Sequence, residues 1–164
     1  MLLWFVGMSF AAVWLVFRSP ALDYRLVMLG SVLPLLDAAL GGPRLAHTLL
    51  FSVVAMLGVM LLTRHRRLIR RRWISLVIGL MVHLVLDGVW TIAEVFWWPF
   101  FGFGFPDVAL PELSHGVEVT VVLEALGVAA LVWCWRAFAL GDRANRDLLW
   151  RTGHLNRDVV GESL

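Results

Sequence analysis

Arg64-His65-Arg66-Arg67-Leu68-Ile69-Arg70-Arg71-Arg72, followed at once by Trp73-Ile74-Ser75-Leu76-Val77-Ile78-Gly79-Leu80-Met81-Val82, decides the fold. A dense basic block abuts a long apolar run. Soluble helices alternate apolar and polar faces, whereas this run is apolar all round, as a segment solvated by lipid is. Basic residues at one end of such a run mark its cytoplasmic side. The segment from about Trp73 to Ala93 therefore reads as a membrane-spanning helix entered from the cytoplasm.

Working outward, four more apolar runs have the same character. They cover about Leu2–Phe17, Leu26–Leu40, Leu45–Leu62 and Val117–Trp135. Hydrophobic residues make up 60% of the 164-residue chain, against roughly 45–50% in soluble domains. Each crossing takes about 20 residues, so five spans use most of the chain. The expectation is an all-α polytopic membrane protein, with residues 1–135 as the transmembrane domain and 136–164 as a polar cytoplasmic tail, soluble or disordered. Placing the Arg64–Arg72 loop inside puts the N-terminus outside and the C-terminus in the cytoplasm. The first run lacks a basic leader and a small-residue cleavage site, so it reads as an uncleaved helix. Gly41-Gly42-Pro43 breaks the chain between the second and third runs. Cys134 is the only cysteine, which excludes an intrachain disulfide and a cysteine-rich metal motif. The basic clusters flank apolar runs, which argues for topology and against nucleic-acid binding.

An ionisable side chain inside a span costs roughly 2.5–3.5 kcal/mol on insertion scales and so marks function by default. Four stand out: Asp37, His47, His83 and Asp87. Asp37 and His47 lie five residues either side of Gly42, at equal offsets in an antiparallel hairpin. His83 and Asp87 are spaced i,i+4 and share one helix face. At about 1.5 Å per residue from the cytoplasmic end, all four fall roughly 15–24 Å deep, in the outer half of the membrane. Two histidines and two carboxylates suit one divalent metal, zinc first, with manganese or iron accepting the same donors. Such an ion makes a nucleophile from water at neutral pH. Glu118 and Glu124 are the acids placed to assist as catalytic groups. The plainer reading is that His83 and Asp87 bond to each other and tie helices together. Asp23 is expected to cap a helix or pair with arginine, and Trp97-Trp98-Pro99-Phe100-Phe101 reads as an interfacial aromatic belt that could rim a lipid entrance.

These residues resemble the YdjM-like family of bacterial inner-membrane metal-dependent hydrolases. Leu33-Pro34-Leu35-Leu36-Asp37 is similar to the family's L-P-D-x-D, and Gly42-Pro43-Arg44-Leu45-Ala46-His47-Thr48 to its H-R-x-x-T-H-S. Val82-His83-Leu84-Val85-Leu86-Asp87, followed by Trp98-Pro99, resembles its S-H-x-x-x-D helix and W-P element, and Glu118 matches a Glu that opens the last helix. The likeness runs from about Leu33 to Glu118. Leu35 stands at the pattern's first acid and Gly42 at its first histidine, so one Asp, one His and the His/Asp pair remain. The resemblance implies a metal-dependent hydrolase of the bacterial inner membrane. The depth of the four residues, in the outer half of the membrane, makes a lipid or lipid-linked ester or phosphoester the expected substrate class. Two other function classes stay open on the residues alone. One is a non-catalytic scaffold or partner subunit, with a protein partner or a second copy of the chain. The other is a small transporter or proton relay.

Overall fold

The computed structural model describes residues 1–36, 45–105 and 116–162, with side chains up to residue 159. The described chain is all-helical. The helices are α1 (Leu2–Phe17), α2 (Tyr24–Val32), α3 (Leu49–Leu62), α4 (Arg67–Asp87), α5 (Ala93–Phe96), α6 (Val117–Ala137), α7 (Arg143–Thr152) and α8 (Arg157–Glu162), with 3-10 turns at Leu45–His47 and Val89–Thr91. Among the described residues, α6 alone is long and apolar enough to cross a membrane, while α1 and α3 are apolar but shorter.

The helix limits follow local chemistry. The second apolar run does not continue to Leu40 as one described helix: α2 stops at Val32, just before Pro34, whose ring has no N–H to give back to the helix. The third run was expected to be helical from Leu45. Instead Thr48 caps α3, its hydroxyl accepting from Phe51 N–H. The fourth helix is also displaced from the expected Trp73–Ala93. It begins at Arg67, within the basic block, and ends at Asp87, where Gly88 turns into the left-handed region with φ 77°. Arginine is a good helix former, so the basic block extends the helix instead of forming a loop.

α1 and α4 lie at the centre, with α2 packed against both, α6 against α1, and α3 against α4. Two crossings bring backbones into contact through glycine. A Cβ on Gly7 of α1 would lie 2.1 Å from the Gly127 carbonyl oxygen of α6, and one on Gly79 of α4 would lie 2.0 Å from the Val27 oxygen of α2. Small residues at such crossings let helix backbones approach closely. One buried apolar cluster gathers Phe10, Val13, Trp14, Tyr24, Val27 and Phe138, and it extends to Leu149 and Leu155. The outward faces are apolar too: Leu61, Leu62, Val121, Val122 and Trp133 are all exposed.

The described part of the segment after Arg136 is mostly helical. Asp142 caps α7 through Ala144 N–H, and α7 buries Leu149. The chain then docks on the end of the bundle: Tyr24 N–H donates to Gly153 O and Leu155 N–H to Pro20 O, at 2.8 and 2.9 Å. Its polar composition hides an amphipathic helix whose apolar stripe completes the core.

Candidate metal centre

The upper half of α4 carries the centre. His83 and Asp87, four residues apart, project from one face and both are buried. His47 comes from the 3-10 turn that Thr48 terminates, and it is also fully buried. One donor atom from each of His47, His83 and Asp87 lies within 4.8 Å of the others. Donors around a tetrahedral zinc with bonds near 2.0–2.2 Å lie roughly 3.4 Å apart, so closing on an ion takes shifts of about an ångström. The expected convergence of the third and fourth runs is therefore present in the structure.

The His83 ring is held from two sides. Its Nδ1 lies 2.6 Å from the Ser31 carbonyl oxygen. A carbonyl only accepts, so Nδ1 carries the proton and donates. That leaves Nε2 with its lone pair, and Nε2 is buried without a hydrogen-bond partner among the described residues. A backbone carbonyl on one imidazole nitrogen is the usual outer support of a metal-binding histidine, because it sets both tautomer and ring plane. Phe5 of α1 stacks on the other side, with centroids 4.1 Å apart and planes at 28°. The His47 ring meets His83 edge-on at 5.4 Å.

Ser31 was not anticipated. Its carbonyl is in the last turn of α2, where the final four C=O groups have no helical donor. Pro34 is the sequence signal, because it stops the helix there and leaves such acceptors to side chains. The Ser31 hydroxyl, in turn, bonds Phe5 O and Met28 O and receives the Ser9 hydroxyl. This ties α1 to α2 beside the histidine.

Asp87 is the last residue of α4. A helix C-terminus bears about half a negative charge, which adds to the carboxylate and makes the position attractive to a cation. The donor set is borderline-hard, two imidazoles and a carboxylate, and it matches the three-ligand pattern of catalytic zinc, which leaves a fourth position open.

The other expected residues are placed as follows. Asp37 lies outside the described residues. Glu118 is exposed in the first turn of α6. Glu124 meets the start of α1, accepting from Leu3 N–H at 2.9 Å and pairing with the Met1 amine at 3.2 Å. Neither glutamate belongs to the His47/His83/Asp87 group. Asp23 fulfils both of its expected roles. It caps α2 through Leu26 N–H and pairs with Arg25 and Arg72 while almost fully buried. No family model, no curated protein and no solved structure matches the chain.

Proposed function

We propose that the chain is a multi-pass protein of the bacterial inner membrane and a metal-dependent hydrolase, a divergent relative of the YdjM-like family, acting on a lipid or lipid-linked ester or phosphoester. The observation that carries this reading is the buried His47/His83/Asp87 group with His83 Nε2 bare and its tautomer set by Ser31. Those three residues hold one divalent ion, zinc by preference, and Asp37 is the fourth residue assigned to the centre. The ion supplies Lewis-acid activation of water at neutral pH. Glu118 is the exposed acid assigned to proton transfer. Glu124 has a positioning role: by holding Leu3 it fixes α1, and with it Phe5 over the His83 ring.

An apolar cleft of about 210 Å³, lined by Leu49, Leu50, Val53, Phe96, Trp97 and Phe100, opens beside the start of α3. Its chemistry suits an acyl chain, and Leu49 follows His47 by only two residues. The exposed apolar faces of α3 and α6 support the membrane location. The Arg64–Arg72 block sets the orientation, with the N-terminus outside.

The test is elemental analysis of the purified protein together with hydrolysis of lipid esters and phosphoesters in nanodiscs. The wild type should carry one equivalent of metal. His83→Ala and Asp87→Ala should lose it along with all turnover. Metal-free wild-type protein with unchanged activity would overturn the reading.

A further inference from the structure

The opposite end of the bundle gathers a second group of polar side chains that the metal centre does not use. A cavity of about 290 Å³ has Asp23, Arg25, Arg71, Arg72, Arg151 and His154 in its lining. It is assembled from three places: the start of α2, the first two turns of α4, and the end of α7 with the residue pair after it. Four guanidinium groups face one carboxylate, so its formal charge is +3 with His154 neutral (four positive minus one negative).

The carboxylate is already neutralised. Asp23 accepts from Arg25 Nε and Nη2 at 3.2 and 3.0 Å, and Arg72 Nε lies 3.2 Å from its Oδ2. Arg25 Nη1 is taken by the Trp150 carbonyl. Arg71 and Arg151 are different: neither side chain has an acceptor among the described residues, and both are exposed to the cavity mouth. Two free forks thus stand over a floor whose one anion is spent. All fourteen basic residues of the chain are arginine. Arginine presents paired N–H groups that match two oxygens of one phosphate, which a lysine ammonium does not. The cavity also lies level with the exposed aromatic Trp150 and the basic start of α4, where a bilayer carries its headgroups in the orientation proposed above.

We propose that this cavity binds a phosphate group, with Arg71 and Arg151 as the bidentate contacts and Arg25 and Arg72 as the fixed positive floor. The phosphate is either the headgroup of an anionic phospholipid or a free phosphate from the aqueous side. Docking of the C-terminal segment builds the site, since Arg151, Thr152 and His154 reach it only when Gly153 is seated against Tyr24. An anion bound there bridges α4 and α7 and holds the segment down.

The full-length protein tests this with two probes. Inorganic phosphate is titrated by calorimetry in a neutral detergent. Phosphatidic acid is added to phosphatidylcholine nanodiscs and bound lipid is read by native mass spectrometry. Saturable binding of phosphate identifies a site open to the free anion, and saturable binding of phosphatidic acid alone identifies the lipid headgroup. In either case Arg71→Gln/Arg151→Gln should weaken binding by about tenfold or more. Arg136→Gln, which removes an exposed arginine outside the cavity, should leave it unchanged. The Arg71→Lys/Arg151→Lys variant keeps charge but loses the forks, and it should bind at an intermediate level if the glutamine variant is poorly folded. Absence of saturable binding by either probe, or equal weakening by Arg136→Gln, overturns the proposal. The metal content of the glutamine variant should stay at one equivalent, so the two sites fail independently.

Discussion

His83 is constrained at one nitrogen and bare at the other, and this asymmetry makes it more than a buried histidine. The sequence marks it as an ionisable residue in an apolar run and as an i,i+4 partner of Asp87. Its tautomer depended on Ser31, 52 residues away, which no local pattern could supply. Thr48 acts at the same scale. It caps α3 and fixes the turn that carries His47. Thr48→Ala should cost about 1 kcal/mol of stability and weaken metal binding, both measurable by thermal melting with and without added zinc. A fall in stability with no change in metal affinity would separate the cap from the centre. At the other end, His154 is held below the ordinary 6.5 by partial desolvation first, then by Arg71, Arg25 and Arg157, with Asp23 opposing. The cations disfavour its protonated form, so removing one must raise the pKa. A proton NMR titration of Arg71→Gln should show the midpoint moving up relative to wild type; an unmoved midpoint would mean that the guanidinium does not act on this ring.

At the scale of helices, the places where expectation and structure part are informative. The start of α1 at Leu2 and its end at Phe17 were legible because an apolar run gives way to Arg18-Ser19-Pro20. The start of α4 is not legible in the sequence, because a dense basic run resembles a loop, whereas arginine favours helix and its head can reach water from the first turns. The fate of the C-terminal segment was hidden for a related reason: its mean polarity masked the one buried stripe, Leu149 and then Leu155. Gly7, Gly30, Gly79 and Gly127 carried no pattern that announced pairing, yet they set how closely the helices approach. Gly79→Ala should destabilise the bundle by roughly 1–3 kcal/mol, since a methyl cannot enter the contact without moving a backbone. Gly58→Ala, where a Cβ would meet nothing within 4 Å, should be neutral or slightly stabilising. Thermal melts of both in one detergent decide it; equal effects would show that the crossings are looser than they look.

For the whole molecule, the two polar groups sit at opposite ends of an apolar bundle. His47, His83 and Asp87 lie where α4 ends, and Asp23 with its arginines lies where α4 begins. In the membrane orientation proposed here, one end is served from outside and the other from the cytoplasm. Cysteine labelling checks this directly. With Cys134 replaced by Ala, Phe103→Cys should react with an impermeant maleimide in intact cells, and Arg143→Cys should react only after the membrane is opened. The reverse pattern would invert the topology and with it the assignment of both sites.

The pairing of α1 with α6 has a consequence for biosynthesis. Leu3 and Glu124 are 121 residues apart in the chain, and the Gly7–Gly127 contact spans a similar interval. α1 leaves the ribosome well ahead of α6 and must wait for it before the two can pair. Loop closure over such a distance is slow and comes late. Nascent chains halted before about residue 120 should therefore hold α1 loosely, open to capture by an insertase or to proteolysis, and they should become resistant only once α6 has emerged.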